Sequence, residues 1–218
     1  MTSHTTPGPS SRRTAEGRDS NEFARVVNLS DAVFAIAMTL LVLTVDVPEA
    51  AVDGLAAALY ADLPQLGAYV LAFALVASQW YAHRKLFQRL ALTEPGLTVI
   101  NLAFLGLVAL VPFPTSVLGS YPFVTAAVAP FLATFALLGA TYLALLARAH
   151  ARHAWRQPLP EAAYRRIVLA FVANTSLLVA GIGVAFWLPA LALALALVSS
   201  VPTILLLRRV PAPYRDWF

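Results

Sequence analysis

Apolar stretches of membrane length recur along this 218-residue chain, and the short loops between them hold most of the charge. A helix that spans a bilayer needs about 20 consecutive apolar residues. Hydrophobic residues make up 60% of the sequence and charged residues 12%, which is roughly half the charged fraction of a typical soluble domain. These features predict an all-α, polytopic membrane protein.

The spacing of the apolar stretches predicts six transmembrane helices. The longest stretch, residues 167–207, would measure about 60 Å as one helix, twice the thickness of the bilayer core, so it must fold back. Trp187 and Pro189 mark the predicted hairpin. The predicted helices are residues 23–45, 63–82, 97–118, 123–147, 167–187 and 189–207. They form one transmembrane domain, residues 23–208, between a disordered N-terminal tail, residues 1–22, and a C-terminal tail, residues 209–218.

The basic residues predict the orientation of the chain in the membrane. All 15 lysines and arginines lie in the N-terminal region, the loop after the second helix, the loop after the fourth helix and the C-terminal tail. Lysine and arginine are enriched in loops that face the cytosol. Both termini are therefore predicted to be cytosolic. Because the basic residues flank membrane spans, they indicate contact with the lipid bilayer and no nucleic-acid partner.

The residues that carry enzyme or metal chemistry are sparse. The chain has no cysteine, which excludes thiolate metal sites and cysteine nucleophiles. The four histidines, at positions 4, 83, 150 and 153, are too scattered for an obvious zinc site, and no phosphate-binding glycine loop is present. Ser30 would need His83 as its base, and no glycine-rich turn exposes that serine. We therefore predict no catalytic residue, no bound metal and no cofactor; the chain is not expected to be an enzyme.

The first predicted helix carries a polar pair near its start, Ser30 and Asp31. A carboxylate within a spanning segment costs about 2.5 kcal/mol or more on insertion scales, so it usually marks a functional site. One interpretation is a polar network that joins the first three helices, with Arg25, His83 and Asn101 as donors to Asp31. The other is that Asp31 caps the N-terminus of the helix. The sequence leaves both open.

The same helix carries a stripe of residues at helical spacing. At about 100° per residue, Ile36, Thr39, Leu40 and Leu43 fall on one side of the helix. From Ile36, Ser30 lies about 120° away and Asp31 about 140° away. Such a stripe can pack against neighbouring helices or line a pathway. The sequence pattern alone favours packing.

Three motifs resemble those of one membrane protein family. The first helix has Arg25, Leu29-Ser30-Asp31, Ala35-Ile36 and Thr39-Leu40-Leu41; WYAHRKLF follows at 80–87 and NLAFLGLVALVPFPT at 101–115. In this order they resemble the transmembrane protein 175 family, the endolysosomal potassium channels and their bacterial relatives. Leu29 stands where the family usually has phenylalanine, which is an apolar exchange.

The resemblance implies a potassium-preferring, passive channel for monovalent cations. It implies a homotetramer in which four copies of the first helix surround a central pore. In that arrangement Ile36 forms a hydrophobic constriction, Thr39 forms a hydroxyl layer, and Leu40 and Leu43 also line the pore. The family has no carbonyl selectivity filter, and this chain has no Thr-Val-Gly-Tyr-Gly sequence that would form one.

An alternative function is a proton-coupled transporter that uses Asp31 and His83 as a relay. We see no internal repeat of the kind common in carriers. Beyond the first helix, Asp46 is a candidate for the pore mouth, where four copies could concentrate cations, although a solvated loop is the usual role of such a residue. The alanine- and arginine-rich composition indicates a bacterial source and hence the plasma membrane.

Overall fold

The computed structural model describes residues 9–91 and 94–207, and those residues form helices joined by short loops. Short 3-10 segments at Leu41–Thr44 and Val52–Gly54 follow the first helix. The α-helices are α1 (Pro9–Leu40), α2 (Leu55–Ala61), α3 (Leu63–Arg89), α4 (Pro95–Leu110), α5 (Pro112–Ser120), α6 (Thr125–Ala151), α7 (Glu161–Val184), α8 (Pro189–Val198) and α9 (Ser200–Leu207).

Within the described residues, five helical segments are long and apolar enough to cross a membrane. They are Asn21–Thr44, Leu63–Arg89, Pro95–Ser120, Thr125–Ala151 and Glu161–Val184. The all-α and multi-pass predictions are thus confirmed. The third segment combines α4 and α5, which meet at Val111 because Pro112 has no amide hydrogen for the helix ladder.

The predicted sixth spanning helix, residues 189–207, is not confirmed. The chain there forms α8 and α9, of ten and eight residues, and each is too short to cross a bilayer by itself. Ser199 separates them, and its hydroxyl donates to the Ala196 carbonyl at 2.7 Å. Pro202 lacks the amide that would bond to the carbonyl four residues earlier, which favours a break at this point.

The N-terminal tail also differs from its prediction. Residues 9–22, predicted to be disordered, are the first turns of α1. Pro9 suits the first turn of a helix, and the arginine, alanine and glutamate residues that follow are good helix formers. Residues 1–8 and the predicted C-terminal tail, 209–218, lie outside the described residues.

Helix α6 is at the centre of the bundle, and α1 is at its edge. In α6, 56% of the apolar window is buried, against 22% in the first segment. Helix α6 packs against α4 and α7, whereas α1 packs against α3 and α4. Tyr142 of α6 donates its hydroxyl hydrogen to the Ala82 carbonyl of α3 at 3.1 Å. Other helices of the same chain therefore leave most of the spanning part of α1 uncovered.

The loops at one end of the bundle are joined by backbone and ion-pair contacts. We call this end, which carries the arginines of α3, α6 and α7, the basic end. Leu90 forms an isolated antiparallel bridge with Trp155, and the Arg156 amide donates to the Arg89 carbonyl at 2.8 Å. The Arg148 guanidinium binds the Glu94 carboxylate through two hydrogen bonds. The end of α3 is thereby fixed against the loop after α6.

The ion pair predicts a pH dependence of stability. The hydrogen bond from Arg148 holds the pKa of the Glu94 carboxyl below its usual value. A carboxylate with a lowered pKa stabilises the fold above its ordinary pKa, and this contribution is lost as the pH falls through the lowered value. Glu94→Gln should therefore lower the melting temperature at neutral pH, and the difference from wild type should shrink in acid.

The control for this variant is Glu49→Gln, because Glu49 is exposed and has no ion-pair partner among the described residues. Thermal unfolding of the detergent-solubilised protein, measured across the acidic to neutral range, is the appropriate assay. A Glu94→Gln difference that stays constant with pH would contradict the assignment.

Candidate functional site: one face of α1 and a buried polar network

One stripe of α1 packs into the bundle. Its buried members are Ser30, Phe34, Ala37 and Leu41, which recur at spacings of four, three and four residues. This is the pattern of a helix with a single buried face. The Phe34 ring lies 5.9 Å from the ring of Phe104 on α4. The stripe therefore sets the rotation of α1 about its own axis.

The predicted pore stripe lies on the exposed side of α1 and of the 3-10 segment that follows it, which holds Leu43. The exposed fraction is 58% for Ile36, 44% for Leu40 and 72% for Leu43, and Thr39 is also exposed. The Thr39 hydroxyl donates to the Ile36 carbonyl at 2.8 Å, so its oxygen lone pairs remain able to accept or to coordinate. The sequence pattern alone favoured packing of these residues against neighbouring helices. Within this chain they remain exposed.

A buried polar network joins α1, α3 and α4. The Asn101 amide nitrogen donates to Ser30 Oγ at 3.0 Å, and the Ser30 hydroxyl donates to the Val26 carbonyl at 2.9 Å. His83 Nε2 lies 2.7 Å from Asn101 Oδ1. Because Asn101 Oδ1 can only accept, His83 Nε2 carries the proton in this arrangement. Ser30, His83 and Asn101 are each at most 2% exposed.

Aromatic rings enclose the imidazole of this network. The ring of His83 stacks on Phe87 at 4.3 Å and on Phe104 at 5.3 Å between centroids. A buried polar group in such surroundings needs its hydrogen bonds, because water is not there to replace them. The network therefore links the rotation of α1 to the positions of α3 and α4.

Asp31 has a different partner from those predicted. It is exposed in the single chain, and its Oδ1 accepts a hydrogen bond from Trp80 Nε1 at 2.9 Å. Arg25, His83 and Asn101 were expected to be its donors, yet none of them bonds to it among the described residues. The sequence did contain a signal, since Trp80 precedes His83 by three residues and so lies on a neighbouring part of the same helix face.

Two other expectations for the start of α1 are also corrected. Asp31 does not cap the helix, because α1 begins at Pro9 and continues through Asp31. Arg25 is exposed, and no hydrogen bond or ion pair within the described ranges joins it to the network. The observed network consists of Ser30, His83 and Asn101, with Asp31 and Trp80 as a separate pair beside it.

The candidate for the pore mouth lies just beyond the 3-10 segment that follows α1. Asp46 is exposed, and its backbone amide donates to the side-chain carbonyl of Gln65 on α3 at 2.8 Å. This contact places the turn after α1 against the start of α3. The role of the Asp46 carboxylate at a mouth stays a prediction.

Residues 25–112 match the family model described as the endosomal/lysosomal potassium channel TMEM175. That segment contains the exposed stripe, Asp31 and Trp80, and the whole buried network. Over these residues the chain is similar to the TMEM175 family. The three motifs that suggested this family all begin inside the matched segment.

Named relatives and a solved structure show the same similarity. A potassium channel of Streptomyces collinus is 43% identical over 46% of this chain and 50% of the relative. One of Chamaesiphon minutus is 37% identical over 49% of this chain and 54% of the relative. The matches therefore span about half the length of these relatives. Their names are those of channels, which are not enzymes.

The likeness of the folds extends further along the chain. A crystal structure of a lysosomal potassium-selective channel TMEM175 homolog from Chamaesiphon minutus superposes with a TM-score of 0.74 and 27% identity. The match covers 85% of this chain and 97% of that one. A human relative, 27% identical over 77% of this chain and 35% of its own length, is named an endosomal/lysosomal proton channel.

Proposed function

We propose that this protein is a potassium-preferring, passive cation channel in which α1 lines the pore. The observation that carries the proposal is the exposed stripe of α1, which lies inside the segment that matches the family. In a membrane, lipid covers most exposed apolar helix faces, and the match to the family is what favours another occupant for this one. In the proposed channel, that occupant is the conduction path.

The channel is proposed to be a homotetramer with α1 of each subunit at the centre. One chain exposes most of α1 at the edge of its bundle, so it does not enclose a pore by itself. Four copies related by a central axis would bring four identical stripes together. Native mass spectrometry of the purified protein tests the number of subunits directly.

The side chains of the stripe suggest how such a pore would work. A ring of four Ile36 side chains would form an apolar constriction that can gate by dewetting. A ring of four Thr39 hydroxyls would replace part of the hydration shell of an ion, while Leu40 and Leu43 continue the apolar lining. With side chains in place of a carbonyl filter, the preference for potassium over sodium should be modest.

The buried network is proposed to hold the pore helix in position. Ser30 attaches α1 to Asn101 of α4, which in turn attaches to His83 of α3. Since these residues lie on the face opposite the stripe, their role would be structural or in gating, and not in contact with the ion. The proposed location is a bacterial plasma membrane with both termini in the cytosol.

Ion flux from liposomes tests the proposed activity. The purified protein would be reconstituted with a potassium gradient and no proton gradient, and the measurement would be repeated with sodium. A passive potassium-preferring channel predicts flux in both cases and a larger flux of potassium. Flux that requires a proton gradient would overturn the proposal.

A second candidate function is proton conduction, and two observations favour it. The human relative is named a proton channel, and Asp31 and His83 line the same cavity. A relay through both residues would need water between them, because the observed partner of Asp31 is Trp80. Acidification of liposomes under a pH gradient with no potassium present would distinguish this activity from potassium conduction.

A further inference from the structure

A cavity of about 360 Å³ opens at the basic end of the bundle, away from the pore stripe and beside the buried network, whose His83 lines it. Phe23, Val27 and Asp31 form one wall on successive turns of α1. The end of α3 forms the second wall, and Arg156 closes the cavity from the loop after α6. Three separate parts of the chain therefore meet around one polar space.

The Arg156 guanidinium is held in place at this cavity. Its Nε donates to the Leu90 carbonyl at 2.7 Å, and its central carbon lies 5.9 Å from the centre of the Phe23 ring. Stacking on an aromatic ring uses the flat face of a guanidinium and leaves its in-plane N–H groups for an acceptor. Arg156 is exposed, so its side chain is accessible to an acceptor from outside the chain.

A second guanidinium faces the same space from α3. Arg84 lies 5.4 Å from the centre of the Trp80 ring, and Trp80 is fixed by its hydrogen bond to Asp31. Gln88, one turn further along α3, adds an amide to the lining. The cavity therefore presents two oriented guanidinium groups and one amide donor.

The charged and titratable groups that face the cavity indicate the chemistry of its ligand. Arg84 and Arg156 are positive, and Asp31 is negative. His83 also faces the cavity, and its Nε2 is already bonded to Asn101. The excess is positive, and paired guanidinium groups bind phosphate oxygens through short, charge-assisted hydrogen bonds.

We propose that this cavity binds a phosphate group, carried either by a lipid headgroup or by a soluble phosphate compound. The ligand would connect α1 to the end of α3 and to the loop after α6. Binding of phosphate does not depend on the proposed channel function. Only a change in ion flux on binding would rest on that function. The two can therefore fail separately.

The test is the melting temperature of the purified, full-length protein in detergent free of phosphate. One arm compares inorganic phosphate with chloride at equal ionic strength. The other compares a short-chain phosphatidic acid with the corresponding diacylglycerol, which lacks the phosphate. Stabilisation by inorganic phosphate supports a soluble ligand, and stabilisation by phosphatidic acid alone supports a lipid headgroup. Stabilisation by neither overturns the proposal.

Matched variants locate the site. Arg84→Gln and Arg156→Gln should each weaken the apparent affinity by about tenfold, because each removes a charge-assisted interaction. Arg165→Gln removes the same charge from an exposed position outside the cavity and should leave the affinity unchanged. Arg156 also bonds to the Leu90 carbonyl, so Arg156→Gln could fold poorly. Arg84 contacts the ring of Trp80 on its own helix, so Arg84→Gln stays informative in that case. Equal affinity in all three variants would overturn the proposal.

A further variant is expected to have the opposite effect. Asp31→Asn removes the negative charge from the cavity and keeps an oxygen that can accept from Trp80. It should therefore strengthen the binding of phosphate. Weaker binding in this variant would contradict the assignment of the ligand as an anion.

Discussion

Replacing Ile36 with asparagine is expected to raise potassium flux through the reconstituted protein by about tenfold, which corresponds to about 1.4 kcal/mol taken from the barrier. In the proposed pore, four Ile36 side chains exclude water from the narrowest part. Four amide groups would hydrate it and would bond to passing ions. The flux assay with a potassium gradient measures the change.

The matched control is Leu102→Asn on α4. Leu102 is 51% exposed and lies outside α1, so the same gain in polarity should leave the flux near the wild-type rate. If Ile36→Asn leaves the flux unchanged, or if Leu102→Asn raises it as much, Ile36 does not form the constriction. A relay centred on Asp31 and His83 would also be insensitive to Ile36→Asn.

Replacing Asn101 with leucine is expected to reduce the melting temperature and the yield of assembled protein sharply. The two side chains are similar in size, so the change removes two hydrogen bonds and leaves little cavity. Ser30 Oγ would lose its donor, and His83 Nε2 would lose its acceptor. Each buried polar group without a partner costs about 1–3 kcal/mol.

Leu102→Ala is the control for this variant, because Leu102 directly follows Asn101 in the sequence but is exposed and makes no contact with the network. The protein that does assemble from Asn101→Leu should keep the wild-type preference between potassium and sodium, because the network does not touch the stripe. Normal stability with an altered ion preference would contradict the structural role of the network.

The sequence was sufficient to predict five of the membrane spans and the buried side of α1 at Ser30. Both depend on local patterns, namely apolar length and helical period, which are properties of single segments. The helical period separates Ile36, Thr39, Leu40 and Leu43 from Ser30. The pattern alone favoured packing for that stripe, whereas its residues are exposed in the single chain. The predicted topology placed His83 and Asn101 at the same end as Asp31 and offered them as its donors, whereas the structure joins them to Ser30 through Asn101.

The partner of Asp31 could not be predicted in this way. Trp80 lies 49 residues away, and its contact with Asp31 depends on how α1 and α3 are rotated and shifted relative to each other. That geometry is set by the packing of Phe34, His83 and Phe104, which no local pattern specifies. The cavity lined by Arg84 and Arg156 has the same origin, because it forms where three distant segments meet.

The breaks within helices have a more local signal in the sequence, where proline predicts a break or kink in the third helix and a kink in the sixth. Pro112 and Pro202 were both visible in the sequence, and a proline inside an apolar stretch interrupts the hydrogen-bond ladder. At Pro112 the helix is interrupted, but α4 and α5 together still form one segment of membrane length. Near Pro202 the predicted sixth span becomes the short helices α8 and α9. Apolar length alone does not distinguish these outcomes.

The measurement that most directly tests the central claim, that the exposed stripe of α1 lines the conduction path, is block of current by a charged thiol reagent. The natural chain has no cysteine, so a single introduced thiol is the only reactive one. We predict that the reagent blocks potassium current through Leu43→Cys and leaves current through Leu102→Cys unchanged. Block of Leu102→Cys with no effect on Leu43→Cys would contradict the account.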